Sequence, residues 1–327
     1  MASAVTGRVW RPSTPATIER DLSALWRDVG RTGPIARAMM SNLVVVRAAR
    51  IERRVGVSID AVAAHHPSRV LIIDHEQAAS PDASAISRAR IGVVTFGAAA
   101  ARYGVEQIAV RSASTDDSLP SLVRRLVRGD LPISVWWAED LSSVPLLASI
   151  VGMGRQLVYD SRLWHDVPRG VEVLEPWRHL DLVDMNWRRL TPIRRAIVLA
   201  AGAAGNETWA SDDIRIAYRR GDAAKGWLVA GWLASRLAWP GGVLPRLEEM
   251  TDGDSVLTVT IRDGADEIVI RSDERQVLVQ HLGRPPSIVS VPHEGEADAV
   301  AAELHSLSHD VRLHDALGAL RRFFSAA

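Results

Sequence analysis

The chain has 327 residues, of which 47% are hydrophobic and 24% are charged, a composition typical of a globular protein, and its length predicts two domains. Lysine plus arginine and aspartate plus glutamate number 39 each, so the overall charge gives no reason to expect nucleic acid or an anionic membrane as a partner. Cysteine is absent, which excludes disulfides, thiolate nucleophiles and cysteine-ligated metals.

The first half of the chain alternates helical and extended patterns. Thr14 and Pro15 are typical of a helix start, and an apolar stripe begins at Ile18. The pattern predicts further helices over 51–65 and 119–127, and strands over 43–46, 69–75, 89–97, 105–113, 133–137 and 155–161. This alternation predicts an α/β domain over residues 1–166 with a mixed, largely parallel sheet and flanking helices. The short link between residues 97 and 105 favours an antiparallel pair there.

Two adjacent tryptophans mark the segment DLPISVWWAED. Its core, Ile133–Trp137, reads as a strand, in which neighbouring side chains point to opposite faces of the sheet. Trp136 and Trp137 therefore require a sheet that is covered on both faces. One interpretation is that both indoles serve packing. The other is that one of them reaches a ligand or partner where the strand ends.

The second half of the chain changes character near residue 166. Helical patterns over 180–201 and 212–239 are followed by segments in which apolar and polar residues alternate. These segments predict strands over 255–262, 266–272, 276–282 and 287–292, and helices are predicted over 295–307 and 311–324. We therefore predict an α+β domain over residues 167–327, built from helices and an antiparallel meander with one solvated face.

The usual cofactor and catalytic motifs are missing from the sequence. GxGxxG does not follow the first strand of the α/β half, and GxxxxGK[ST], GxSxG and HExxH do not occur. His305 and His309 have i, i+4 spacing, but nothing supplies a third metal ligand. Lys225 is the only lysine, and it lies in none of these motifs. The sequence thus predicts no cofactor and no metal.

The start of the chain and its apolar runs bear on location. The segment MASAVTGRVWRPSTP lacks the apolar core of a signal peptide. No apolar run approaches the ~20 residues that a membrane span needs. We therefore expect a cytoplasmic protein without membrane association.

Charged groups at the predicted strand ends could hold a ligand, because ligands of α/β sheets gather at the carboxyl ends of strands. The strand-end candidates are Asp74, His75, Glu139, Asp140 and Asp160. Arg69, at the start of the strand over 69–75, is a further candidate that could pair with a phosphate or with a partner's carboxylate. They support an alternative function, an enzyme or sensor for sugar phosphates or nucleotides. The other interpretation of acidic strand ends is that they serve as helix caps or lie in solvated turns.

The segment MNWRRLTPIRR combines an indole with several guanidinium groups. Its charged and aromatic members are Trp187, Arg188, Arg189, Arg194 and Arg195. One interpretation is a solvated basic face with Trp187 packed beneath it. The other is a protein interface, because tryptophan and arginine most often anchor protein–protein contacts.

Seven segments together resemble a known family. They are, in order, SNLVVV, HPSRVLIID, VEQIAVR, DLPISVWWAED, LVYDSRLW, DMNWRRLTPIRRAI and GWLASRLAW. They are similar to the OpcA family of glucose-6-phosphate dehydrogenase assembly proteins, from about Ile18 to Trp239 and more weakly through the meander.

The resemblance implies a bacterial, non-enzymatic helper of glucose-6-phosphate dehydrogenase, the entry enzyme of the oxidative pentose phosphate pathway. Such a helper binds the dehydrogenase and promotes its active form. No catalytic residues come with the family. Since the chain has no cysteine, the thiol regulation discussed for photosynthetic members has no counterpart here. We expect the partner to contact the Trp187–Arg195 segment, with Trp136 or Trp137 in support.

Overall fold

The structure is a computed structural model of the chain. It describes residues 3–6, 9–48, 52–75, 88–98, 101–112, 119–143, 148–204, 209–251, 255–263 and 266–326. The chain divides into two compact units. Unit 1 comprises Met1–Glu139, Leu146–Tyr159 and Gly295–Ser308, and unit 2 comprises Asp140–Pro145, Asp160–Glu294 and His309–Ala327.

The elements are numbered in chain order. The strands are β1 (Ser3–Thr6), β2 (Arg11–Pro12), β3 (Ala36–Arg37), β4 (Ser41–Ala48), β5 (Ser68–His75), β6 (Arg88–Phe96), β7 (Tyr103–Ser112), β8 (Ile133–Trp137), β9 (Gln156–Tyr159), β10 (Asp181–Asp184), β11 (Ile214–Arg219), β12 (Arg246–Met250), β13 (Leu257–Asp263), β14 (Asp266–Ser272), β15 (Gln276–His281) and β16 (Ser287–Ser290). The helices are α1 (Pro15–Gly30), α2 (Glu52–His65), α3 (Leu119–Leu126), α4 (Ala148–Val151), α5 (Val167–Leu174), α6 (Met185–Arg189), α7 (Thr191–Ala204), α8 (Ala223–Arg236), α9 (Glu296–Ser306) and α10 (Val311–Ala326).

Unit 1 is built on a mixed sheet in the order β1-β6-β7-β5-β4-β8-β9, with β2 beside β6 and β3 beside β7. The central pairs β7–β5, β5–β4, β4–β8 and β8–β9 are parallel. Strands β6 and β7 are antiparallel, as their short link predicts. The predicted α/β class is therefore confirmed. Helix α1 begins as expected, with the Thr14 hydroxyl accepting a hydrogen bond from the Thr17 amide.

The tryptophan strand lies inside the sheet of unit 1. β8 pairs with β4 on one side and with β9 on the other, so it has no free edge there. Trp136 is 3% exposed and Trp137 is fully buried, although the two side chains point to opposite faces. The sheet is therefore covered on both faces at this strand, as the sequence requires.

Unit 2 is built on a six-stranded sheet in the order β12-β11-β13-β14-β15-β16. The pairs from β11 through β16 are antiparallel, and only β12 is parallel to its neighbour β11. Helix α7 packs against β14, β15 and β16, while α8 packs against α10. The predicted antiparallel meander with helices is confirmed, including its fourth strand at residues 287–290.

Two segments that were predicted to be helical are strands. Leu182 and Val183 lie in β10, and the following Asp184 caps α6 by accepting a hydrogen bond from the Asn186 amide. The helix thus begins after a capping aspartate instead of running through it. In β11, Ile214 and Ile216 are buried around the exposed Arg215, which is the two-residue period of a strand.

Two further features go beyond the sequence pattern. β12 is a charged segment, RLEEM, at the edge of the sheet. It has too few apolar residues for the spacing of apolar residues to predict a strand. Helix α9 follows the meander in the chain but belongs to unit 1, where it packs along α2. The single division at residue 166 stays a prediction about domains.

Candidate partner-binding surface

The candidate ligand groups of unit 1 form buried ion pairs. A guanidinium nitrogen of Arg69 lies 2.8 Å from the Glu106 carboxylate, and Arg69 also donates to Glu19. Burial lowers the pKa of Arg69, while the charge of Glu106 opposes that shift. Arg47 Nε lies 2.8 Å from Asp74 Oδ1, and both side chains are buried. Arg69 and Asp74 are therefore held by partners within unit 1.

The remaining strand-end carboxylates are also engaged. Glu139 is buried at the end of β8. Burial acts to raise the pKa of Asp140, but hydrogen bonds from Ser143, Ser142 and His165 lower it. His165 Nδ1 lies 2.8 Å from Asp140 Oδ2. Asp140 therefore organises its own turn, as the capping interpretation predicts.

Two further strand-end residues complete the set. Asp160 accepts hydrogen bonds from Arg189, whose Nη1 lies 2.9 Å from both carboxylate oxygens. His75 ends β5, but its side chain lies outside the part that the structure describes. Arg69, Asp74, Asp140 and Asp160 thus have structural partners, and a ligand-binding role at these positions stays a prediction.

Trp187 packs beneath the arginine-rich segment of unit 2. It is 3% exposed, and its Nε1 donates a hydrogen bond of 2.7 Å to Asp310 Oδ2. The Arg194 guanidinium lies 3.7 Å from the centroid of the indole ring, a cation–π arrangement. Burial lowers the pKa of Arg194 to about 10, partly offset by the charge of Asp310. Trp187 is thus an internal anchor of this segment.

Two other arginines of the segment have carboxylate partners within unit 2. Arg188 pairs with Glu294 through two hydrogen bonds of 2.7 Å each, a bidentate geometry. These bonds outweigh the effect of burial and lower the pKa of Glu294. Arg189 is paired with Asp160. Arg195, in contrast, is exposed. The partner-binding role of the segment stays a prediction. Because Trp136, Trp137 and Trp187 are buried, the residues left to contact a partner directly are the arginines.

Helix α7 continues the segment and presents an apolar patch to solvent. Val198 is 55% exposed and Leu199 is 57% exposed. The exposed positions of the helix recur at helical spacing and define its outer face: Thr191, Arg195, Val198, Leu199 and Gly202. The opposite face is buried and packs against the sheet through Ile193, Ala196, Ile197 and Ala200.

The sequence carries a signal for this surface at the centre of α7. The run IVLAA leaves α7 without a polar side at its centre. Because the helix buries only one face against the sheet, an apolar residue on its other face must be exposed. Two large apolar neighbours, Val198 and Leu199, therefore lie exposed on the same face as Arg195.

The described residues do not bring together three or more side chains able to hold a metal ion. In unit 1, His305 Nδ1 lies 3.1 Å from His66 Nδ1. In unit 2, His309 stacks on His314. None of the helices in the described ranges is long and apolar enough to cross a membrane.

Comparison with known families identifies the chain. Residues 59–175 match the family described as the N-terminal domain of the glucose-6-phosphate dehydrogenase subunit, the OpcA assembly domain. Residues 180–317 match the C-terminal domain of the same subunit. The chain belongs to the OpcA family. The resemblance found in its sequence is therefore confirmed.

Two curated relatives named OpcA carry names that assign them to the OxPP cycle. The chain is 26% identical to the OpcA protein of Nostoc punctiforme over 181 residues, which cover 53% of this chain and 36% of that protein. It is 25% identical to the OpcA protein of Synechocystis over 140 residues, covering 41% of this chain and 30% of that protein. The matches thus span about a third of the length of these relatives.

Solved structures with a similar arrangement share little sequence with this OpcA chain. Levoglucosan dehydrogenase in its apo form is 11% identical, with a TM-score of 0.46, over 88% of this chain and 94% of that one. A super-repressor mutant of Gal80p from Saccharomyces cerevisiae is 9% identical, with a TM-score of 0.48, over 88% of this chain and 95% of that one.

Proposed function

We propose that this OpcA-family protein binds glucose-6-phosphate dehydrogenase and shifts it toward its active form without catalysing a reaction itself. The observation that carries the proposal is the match of both halves of the chain to domains of the dehydrogenase subunit family. An activator of this kind must bind the active form of the enzyme more tightly than the inactive form, because equal affinity shifts no equilibrium.

The outer face of α7 is the contact surface that we assign to the dehydrogenase. Its apolar centre, Val198 and Leu199, loses water contact when a partner covers it, and Arg195 supplies a charge at its edge. Interfaces commonly combine such an apolar centre with a polar rim. Of the tryptophans predicted for this role, Trp187 is buried beneath Arg194, and Trp136 and Trp137 are buried in the sheet of unit 1.

The function is tested with the purified dehydrogenase of the same organism. We expect the intact protein to raise the rate or the substrate affinity of the enzyme and to co-sediment with it. Substrate saturation curves and sedimentation velocity, with and without this protein, measure both effects. An unchanged enzyme together with the absence of a complex would refute the proposal.

The surface is tested separately by substitution. The double variant Val198→Ser/Leu199→Ser removes the apolar centre, and we expect association to weaken at least ~30-fold, the equivalent of ~2 kcal/mol. The matched control is Leu282→Ser/Ile288→Ser, which changes two residues that are 70% and 61% exposed outside α7. Both variants should keep the melting temperature of the wild type, because all four side chains are exposed. If the two variants bind the dehydrogenase equally well, the outer face of α7 is not its contact surface.

A further inference from the structure

The open face of the six-stranded sheet in unit 2 carries a concavity of about 330 Å³. This volume lies at the lower end of the range of small-molecule sites. Its lining combines four arginines and two threonines with three carboxylates. The polar lining residues are Asp212, Asp213, Arg215, Arg246, Thr258, Thr260, Arg262, Glu267 and Arg271. Helix α7 does not cover this face, because the residues alternating with the lining are the buried ones.

Strand register places the threonines between two arginines. Arg215 of β11 lies opposite Thr260 of β13. Thr258, two residues away on the same strand and face, lies opposite Arg271 of β14. The small threonine side chains form the floor, while the long arginine side chains rise on either side. Hydroxyl and guanidinium donors thus surround one space, and Arg246 lies beside Arg215 on β12.

The ion pairs of these arginines with other described residues are loose. Arg215 and Arg246 lie 3.7 and 3.8 Å from the Glu248 carboxylate. Arg262 lies 3.7 Å from Glu267. These distances exceed those of hydrogen bonds, and exposed ion pairs contribute little to stability. Arg271 donates instead to the neutral amide oxygen of Gln280 at 2.6 Å. The guanidinium groups therefore retain donors for an anion.

The charge of the lining is divided between its two ends. Asp212 and Asp213 immediately precede β11, and Glu267 lies opposite Arg262 at the same end of the sheet. The next position along the same face carries Arg215 and Thr260, and the position after that carries Thr258 and Arg271. A simple anion would use only the basic end. A ligand with an anionic group and several hydroxyl donors would use both, because carboxylates accept hydrogen bonds from hydroxyls.

We propose that this concavity binds a phosphorylated sugar. Its phosphate lies between Arg215 and Arg271 and accepts hydrogen bonds from the two threonines, since arginine pairs with phosphate in a bidentate manner. The sugar hydroxyls donate to the carboxylates at the other end. This inference does not rest on association with the dehydrogenase, because the assigned contact surface for that enzyme is on α7.

Titration calorimetry of the intact protein tests the ligand class. The probes are glucose 6-phosphate and ribose 5-phosphate, with glucose and inorganic phosphate as controls for each half of the ligand. We expect at least one sugar phosphate to bind ~10-fold more tightly than either control, the effect of about one further charged hydrogen bond. If inorganic phosphate binds equally well, the site holds an adventitious ion only and the proposal fails. If neither sugar phosphate binds, it also fails.

Variants then locate the binding. Arg215→Ala/Arg271→Ala should weaken sugar phosphate binding at least ~10-fold. The matched control Arg220→Ala/Arg275→Ala removes the same charge from exposed arginines outside the concavity and should leave the affinity unchanged. Asp213→Asn should weaken the binding of the sugar phosphate but leave the binding of inorganic phosphate unchanged. Amide NMR shifts confined to residues near Thr258 and Thr260 support the site, whereas equal loss in both arginine pairs overturns it.

Discussion

Burial determines how Asp184 titrates in unit 2. The side chain is 2% exposed, and Oδ1 accepts hydrogen bonds of 3.0 and 2.9 Å from the amides of Ser161 and Asn186. Burial, together with the nearby charge of Asp160, raises the pKa of Asp184 to about 7. The folded state therefore holds this proton at pH values at which the unfolded chain has released it.

We predict that Asp184→Asn gains stability relative to the wild type as the pH rises. Between the ordinary aspartate pKa of 3.8 and the folded value of about 7, the wild type loses free energy of unfolding with increasing pH. The slope is at most ~1.4 kcal/mol per pH unit, and the asparagine variant lacks this loss. Urea unfolding of both proteins from pH 4 to pH 8 measures the difference. A constant difference across that range would contradict the assignment.

His66 in unit 1 changes the stability with pH in the opposite direction to Asp184. It is 4% exposed, and its Nε2 lies 3.0 Å from Ser41 Oγ. Burial, with a contribution from His305, lowers its pKa from 6.5 to about 4. The contribution of neutral His66 to the free energy of unfolding is fully present above pH 6.5 and is lost as the pH falls toward 4. The reason is that the unfolded chain binds a proton at this histidine at a higher pH than the folded chain does. We predict that the stability advantage of the wild type over His66→Gln shrinks in that window, as followed by thermal melting at each pH.

At the scale of elements, one glycine allows two helices of unit 2 to pack closely. A Cβ added at Gly231 of α8 would lie 2.6 Å from the carbonyl oxygen of Ala316 in α10 and 2.7 Å from Leu320 Cγ. Such distances require the helices to separate. At Gly202 of α7, in contrast, an added Cβ meets nothing within 4 Å.

We predict opposite effects of the same substitution at these two positions. Gly231→Ala should lower the free energy of unfolding by about 1–3 kcal/mol through overpacking. Gly202→Ala should raise it by up to about 1 kcal/mol, because alanine favours the helix. Denaturant unfolding of the two variants beside the wild type tests both signs. If Gly231→Ala is as stable as Gly202→Ala, the close approach of α8 and α10 is not present in solution.

Elements with an unambiguous period could be predicted, and those that rely on a single capping residue could not. The meander strands β13, β14 and β15 alternate apolar and polar residues along their length, so their pattern matches one structure only. Before α6 the apolar residues Leu182 and Val183 continue into a helical pattern. Only the hydrogen bond from the Asn186 amide to Asp184 shows where the strand ends and the helix begins.

The contacts that organise the candidate surface are not local in sequence. Trp187 donates to Asp310, and Arg188 pairs with Glu294, each more than 100 residues away. The residue types predicted an interface or a solvated face, but nothing in the pattern could show which guanidinium groups have internal partners. The sequence could therefore predict the segment, while only the fold shows that Arg195 is exposed and that Trp187 is not.

At the scale of the whole molecule, chain order and compact units do not coincide. Helix α9 belongs to unit 1, where Gln156 Nε2 donates a hydrogen bond of 3.1 Å to the Glu303 carbonyl and α9 buries Val300 and Leu304. A fragment that ends at residue 166 lacks this helix.

We predict that the fragment 1–166 is less stable than a fragment in which residues 295–308 are joined to it by a flexible linker. The added helix α9 covers α2 again and restores the hydrogen bond between Gln156 and Glu303. It should therefore raise the melting temperature of the fragment and prevent its aggregation. The control carries the same linker with Val300 and Leu304 replaced by serine. Identical melting of all three fragments, followed by circular dichroism, would show that unit 1 folds without α9.

The late position of α9 in the chain also determines when unit 1 can be completed during synthesis. After Tyr159 leaves the ribosome, the remaining piece of unit 1 begins only at Gly295. At translation speeds of the order of 5–20 residues per second, that interval lasts roughly 7–27 s. During that time the nascent chain carries an incomplete unit 1, in which α9 does not yet cover α2. Unit 1 is therefore complete only once residues 295–308 have been synthesised.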